Sequence, residues 1–305
     1  MTMSHAAIHV SQEVQDAVRD NRPVVALEST IFTHGLPRPR NLEVAREAEA
    51  GLRAQGVTPA TIGVFNGVPT VGLSAEQITT WSNSDDIAKV SLRDLPVVRA
   101  LGKHGGTTVA ATAFLAHHAG VKVFSTGGLG GVHRGASESF DESADMTTLA
   151  QIPILVISAG VKSILDIPAT LERFETLNIP VIGYGTTHYP GFYVTDSGFT
   201  IGYSVDTPEE VAAIVTARDD LGLPQSVLLA NPVAPDKQLP PEQLNDILTR
   251  AWAEAEKQGI SGNASTPFLL DFIQRDTKGV SLDVNVEVYR GNVTLGGLVA
   301  TALTR

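Results

Sequence analysis

Four stretches of the chain gather residue types that do chemistry. SAGVKSILD, residues 158–166, places Lys162 a few positions after the apolar run Ile154–Ile157. In open parallel sheets, ligands bind beyond the carboxyl ends of strands. An ordinary lysine is neutral in only about one molecule in a few thousand at pH 7. Flanking Val161 and Ile164 would desolvate an amine at this position, and desolvation favours the neutral form. A neutral amine can attack a sugar aldehyde and form an imine. The same spacing also fits a surface lysine near a helix start. Glu28 ends the strand-like run in VVALEST. A carboxyl group there, beside apolar residues, would hold its proton to higher pH and serve as a general acid; a glutamate pointing into solvent fits equally.

The third stretch is STGGLGGVHRGASESFDESADM, residues 125–146. Its glycines let backbone amides approach a ligand closely. His133, Arg134, Asp141, Glu142 and Asp145 follow them. An aspartate after such a turn can bind a hard divalent cation through oxygen; solvated acids on a flexible turn are the plainer reading. The spacing is not a dinucleotide-binding fingerprint, because no helix opens directly after it. The fourth stretch is KHGGTTVAAT, residues 103–112. Thr107 and Thr108 lead into an Ala-rich helix, where free amides and the helix dipole suit a phosphate; a simple threonine N-cap is the alternative. Lys89 and Arg93 in KVSLRD, residues 89–94, offer counter-charges nearby.

Other chemistries are excluded. The 305 residues include no cysteine, so disulfides, thiolate metal sites and cysteine nucleophiles are absent. No GxSxG, Walker A, HExxH or kinase motif occurs. A formal net charge of -11 argues against a nucleic-acid backbone as partner. Neither a secretory leader nor a membrane-length apolar run is visible, which suits a cytoplasmic enzyme.

These residues need a scaffold, and the pattern supplies one. Val24–Leu27, Val121–Phe124, Ile154–Ile157, Val181–Tyr184 and Ser226–Leu229 read as buried strands. Thr61–Phe65 and Val68–Leu73 flank Asn66-Gly67 as a hairpin. Helices are expected over Asn41–Gln55, after the capping boxes Ser74/Gln77 and Thr207/Glu210, after Pro241, from Thr266-Pro267, and from Ser281 to the end. Alternating strands and helices predict a three-layer α/β/α fold with a largely parallel sheet. Residues 1–22 read as an N-terminal extension, helical in part, and 23–305 as a single catalytic domain.

Taken together, ALESTIFTHG, KVSLRDLP, KHGGTTVAAT, STGGLGGVHRGASESFDESAD, SAGVKSILD, ANPV and STPFLL resemble, in order and spacing, the pseudouridine-5'-phosphate glycosidases, or indigoidine-synthase-A-like family. The resemblance runs from about Pro23 to the C-terminus. It implies reversible hydrolysis of the C–C glycosidic bond of pseudouridine 5'-phosphate to uracil and ribose 5-phosphate, a divalent metal, typically Mn²⁺, and a homotrimer. By matching position, it implies Lys162 as Schiff-base nucleophile, Glu28 as proton donor and Asp141 as metal ligand. Ser143, Ala144 and Asp145 match a substrate-contacting triplet. Lys89, and Val109 through its backbone, match contacts at the phosphate end, beside Thr107 and Thr108. Thr126 and His133 match residues facing the base, and Asn285 matches one in the last helix. Leu92 and Met146 depart from the family's usual Arg and Leu, at positions without chemistry in this scheme. Two other functions stay open on the residues alone: another Schiff-base lyase of phosphorylated sugars, without the metal, and a non-enzymatic sugar-phosphate binding domain.

Overall fold

The computed structural model describes residues 8–260 and 265–305. Among these residues, eleven strands form one sheet: β1 His9–Val10, β2 Val24–Glu28, β3 Thr58–Phe65, β4 Val68–Val71, β5 Ala88–Val90, β6 Gly105–Thr107, β7 Val123–Ser125, β8 Leu155–Ser158, β9 Val181–Tyr184, β10 Tyr203–Val205 and β11 Val227–Ala230. The main path runs β1-β4-β3-β2-β7-β8-β11-β9-β10, and β6 joins β5 to β3. Only the β3–β4 and β3–β6 pairings are antiparallel. The β3–β4 turn is Asn66-Gly67, both at positive φ (50° and 75°), as a two-residue type I′ turn requires.

Among the described residues, twelve α-helices cover the sheet: α1 Gln12–Arg19, α2 Arg40–Ala54, α3 Ala75–Ser82, α4 Leu95–Ala100, α5 Val109–His118, α6 Ala136–Ser139, α7 Ala144–Leu149, α8 Ile167–Thr176, α9 Pro208–Asp220, α10 Pro241–Lys257, α11 Ser265–Asp276 and α12 Val280–Ala302. The continuous apolar run of β2 has the signature of a strand buried on both faces. Val24 and Ala26 point into one core, with residues of α1, α4, α5, α10 and α11. Val25 and Leu27 point into the other, with residues of α2, α3, α9 and α12. This is the expected three-layer arrangement in a single domain.

Local signals set several boundaries. Ser74/Gln77 and Thr207/Glu210 form complete capping boxes at the starts of α3 and α9. Helix α12 is helical despite its valines, because most of its length is buried and packing overrides a weak propensity. Within the expected N-terminal extension, β1 pairs with β4, and Val14 and Ala17 of α1 are fully buried in the main core. Residues 1–7 of that segment lie outside the described residues. The strands β5, β6 and β10 were not expected. Gly105–Thr107, just before the Ala-rich helix, is held as a strand by β3 on one side and β5 on the other.

One consequence governs the site. Strands β2, β7 and β8 are adjacent and parallel, with Leu27 beside Ser125 and Ser125 beside Ile157. Their carboxyl ends therefore bring segments near residues 28, 126 and 162 to one edge of the sheet.

Candidate active site

Glu28 is the last residue of β2, and Thr126 follows β7. The Thr126 hydroxyl donates a short hydrogen bond to Glu28 Oε1. Thr126 is itself fully buried, and its N–H donates to the Ile157 carbonyl at 3.0 Å. Burial pushes the Glu28 carboxyl above the usual glutamate range; the Thr126 hydrogen bond and the charges of Lys162 and Lys89 oppose that push, and Asp145 adds to it. Glu28 thus holds a proton to higher pH than a solvated glutamate.

Lys162 lies on the segment after β8, and its backbone is pinned. Its N–H donates to the Leu129 carbonyl at 3.1 Å, and Val161 N–H donates to the Tyr189 hydroxyl at 3.1 Å. The neighbouring Ser163 hydroxyl donates to the Gly191 carbonyl. The side chain is half-buried. Lys89, in β5, is exposed by area. Crowding by protein around it still lowers its pKa, and the charge of Lys162 lowers it further.

The three residues Ser143, Ala144 and Asp145 stand in different surroundings. Ser143 caps α7, accepting from Asp145 N–H at 3.2 Å, and Ala144 is exposed on its first turn. Asp145 is only 7% exposed. Its Oδ1 accepts from Ala110 N–H at 3.0 Å, and its Oδ2 from Gly130 N–H at 2.9 Å. One carboxylate thus ties the first turn of α5 to the glycine-rich segment. That segment is packed tightly: a Cβ on Gly130 would fall 2.2 Å from Ser143 Oγ, and one on Gly128 would fall 2.6 Å from the Phe192 ring. Glycine is needed there for close packing, not only for access to a ligand.

At the start of α5, the two threonines part company. Thr107 is fully buried: its N–H donates to Ser29 Oγ at 2.9 Å, and its hydroxyl donates to the Ile62 carbonyl at 2.8 Å while accepting from Thr112. Its N–H and hydroxyl are spent on partners inside the protein. Thr108 Oγ1 is buried with no partner among the described residues. With Val109 on the first helical turn, it leaves an unmatched polar atom at a helix N-terminus, the environment an anion seeks. Arg93 is turned to solvent, 76% exposed, and pairs with Asp94 at 3.5 Å, so it does not join Lys89.

His133 and Asp141 close the neck of a loop. His133 N–H donates to the Asp141 carbonyl at 3.0 Å, and His133 Nδ1 lies 3.9 Å from Asp141 Oδ2. Among the described residues, no three His, Cys, Asp or Glu side chains form a cluster able to hold a metal ion. The pair offers at most two protein ligands, with Asp141 about one-third exposed at 32%. Such a set does not fit a closed zinc cage. It fits Mg²⁺ or Mn²⁺, which bind through one or two protein groups and keep several waters. Asn285 of α12 lies over the glycine-rich segment: a Cβ on Gly127 would be 3.5 Å from its Oδ1.

Two buried residues near Glu28 were not expected from sequence. Tyr289 of α12 has its phenol pushed up by burial first, and then by the charges of Glu28 and Glu49. Asn292, fully buried in the same helix, donates to the Thr126 carbonyl at 2.7 Å. The visible signal was an asparagine inside the valine-rich run VNVEVYRGNV.

Residues 13–302 match the family model described as indigoidine synthase A like protein. A pseudouridine-5'-phosphate glycosidase of Saccharopolyspora erythraea is 62% identical over 294 residues, covering 96% of this chain and 97% of the relative. One of Nocardioides sp. is 50% identical, covering 98% of each. Among solved structures, the prealnumycin C-glycosynthase AlnA in complex with ribulose 5-phosphate superposes with a TM-score of 0.92 at 32% identity, covering 99% of this chain and 98% of that one. An indigoidine synthase A-like protein of Thermotoga maritima superposes with a TM-score of 0.89 at 33% identity over the full length of both.

Proposed function

The chain belongs to the indigoidine synthase A like family, and from that premise we propose that it is a pseudouridine-5'-phosphate glycosidase. It cleaves the C–C glycosidic bond of pseudouridine 5'-phosphate with water, giving uracil and ribose 5-phosphate. The observation that carries the reading is the assembly at the carboxyl ends of β2, β7 and β8: a half-buried carboxyl group, hydrogen-bonded by Thr126, with a raised pKa and under the influence of two lysines. The near-full-length relatives bearing that activity name support the substrate.

A C–C glycosidic bond offers no leaving heteroatom to protonate, so the two-carboxylate route of O-glycosidases gains little. Opening the ribose ring solves this. Protonated Glu28 delivers its proton to the ring oxygen while the Lys162 amine attacks C1', so the C1'–oxygen bond breaks as the C1'–nitrogen bond forms. The new ammonium gives up a proton, for which the Glu28 carboxylate is now free, and the restored nitrogen lone pair then expels the base as the C1'–base carbon–carbon bond breaks: its electron pair passes into the uracil ring system, and the base carbon gains a proton. Water adds to the resulting iminium, and collapse of the adduct returns the Lys162 amine and releases ribose 5-phosphate. Lys89, Thr108 and the start of α5 receive the 5'-phosphate. Asp141, with His133 beside it, would hold Mn²⁺ or a similar ion, which when bound orients the base and stabilises charge on it. The reading also includes a homotrimer and a cytoplasmic location. Incubation with pseudouridine 5'-phosphate tests it: uracil should appear in equal amount with ribose 5-phosphate, and intact substrate after long incubation with metal would overturn it.

A further inference from the structure

The reading above uses Glu28, to which Thr126 donates, but leaves unexplained why Asn292 is buried in the last helix. A fully buried amide is costly unless every polar atom is matched. Here it is matched in both directions. Asn231 Nδ2 donates to Asn292 Oδ1 at 2.9 Å, which fixes how the amide points. Asn292 Nδ2 then donates to the Thr126 carbonyl at 2.7 Å and, more weakly, to the Gly127 carbonyl at 3.3 Å. Asn231 is anchored in turn: its N–H donates to the Ser158 carbonyl at 2.8 Å, at the end of β8. Helix α12 is pressed onto the same strand ends. Ser125 Oγ donates to the Asn292 carbonyl at 3.0 Å, and a Cβ on Gly296 would fall 2.1 Å from Ser125 Oγ.

Thr126 is therefore gripped from both ends. Its N–H goes to Ile157 and its carbonyl to Asn292, while its hydroxyl goes to Glu28. We propose that Asn292, oriented by Asn231, is a positioning residue for the acid step: it holds Thr126 so that the Thr126 hydroxyl stays on Glu28. This rests on the reading of Glu28 as the proton donor. The Thr126 hydrogen bond favours the ionised carboxylate. Loosening Thr126 therefore raises the Glu28 pKa and misplaces its proton.

The test is the pH profile of kcat/KM on pseudouridine 5'-phosphate for wild type, Thr126→Val, Asn292→Leu, Asn231→Ala and the double variant Thr126→Val/Asn292→Leu. Loss of protonated Glu28 sets the basic limb. Asn292→Leu should lower kcat by about tenfold or more, the effect of losing one buried hydrogen bond in the transition state, with KM little changed. Its basic limb should move to higher pH, as in Thr126→Val. The double variant should be no worse than the poorer single one, because both break the same link. Asn231→Ala should move the limb in the same direction by less. It also covers the case in which Asn292→Leu fails to fold: an unmoved limb in Asn231→Ala would overturn the proposal. Lower activity with an unmoved limb, or strictly additive losses, would likewise reduce Asn292 to a helix anchor while leaving the glycosidase reading intact. Absence of uracil release by wild type would instead remove that reading, and this proposal with it.

Discussion

Asp145→Asn separates a strut from a substrate contact. The two carboxylate oxygens of Asp145 accept from different N–H groups, Ala110 at 3.0 Å and Gly130 at 2.9 Å. An amide has one acceptor oxygen, so whichever way it turns, its NH₂ faces one of those donors. Leaving a buried donor unmatched costs about 1–3 kcal/mol, and the surviving bond loses its charge assistance, about another 1 kcal/mol. The sum is about 2–4 kcal/mol. At about 2–3 °C per kcal/mol for a large domain, Tm falls by about 4–12 °C, which calorimetry reads directly. A second readout follows from charge. Asp145 raises the Glu28 pKa, so its neutralisation lowers that pKa, and the basic limb of kcat/KM moves to lower pH. An unchanged Tm would refute the strut, and a basic limb that stays or rises would refute the electrostatic link.

Three further perturbations test the remaining roles. Glu28→Gln should abolish turnover yet stabilise the protein near neutral pH. With a folded pKa above the ordinary value of 4.5, the native state binds the extra proton in the window between, so wild-type stability is full below it and falls as pH rises through it. The variant's advantage in chemical denaturation should therefore vanish toward pH 4 (about the unfolded value); an advantage independent of pH would contradict the assignment. Lys89→Ala should weaken pseudouridine 5'-phosphate by about one to two decades, from a charge-assisted contact of about 1.5–3 kcal/mol, and pseudouridine much less; equal losses for both, by direct kinetic comparison, would remove Lys89 from the phosphate. Asp141→Ala should keep its fold by circular dichroism but lose the metal-dependent part of its rate in a Mn²⁺ titration; full activity in chelator would refute the metal role.

Much of the scaffold was legible in the sequence because it is written in local signals. The VVAL and ILVI runs marked doubly buried strands, Asn66-Gly67 marked the hairpin, and Ser74/Gln77 and Thr207/Glu210 marked helix starts. Strands β5, β6 and β10 were not legible: each is only three residues long and becomes a strand because a partner lies beside it. The same limit applies at the site. Glu28 stood out as a charge ending an apolar strand. Thr107 and Thr108 looked alike in sequence, yet one spends its hydroxyl on Ile62 and the other leaves it unmatched. In the Asn231–Asn292–Thr126 link, Asn292 and Thr126 lie 166 positions apart in sequence, and only the parallel ordering of β2, β7 and β8 under α12 brings them together.

The covalent role of Lys162 is the central claim, and reductive trapping tests it most directly. Incubation with ribose 5-phosphate and borohydride should reduce the imine to a secondary amine, raise the intact mass by one reduced pentose phosphate, and map the adduct to Lys162. Borohydride alone should add nothing, and solvated lysines, protonated at neutral pH, should label little in a short exposure. Lys162→Ala should lose both labelling and turnover. An active preparation that carries no adduct on Lys162 would contradict the account.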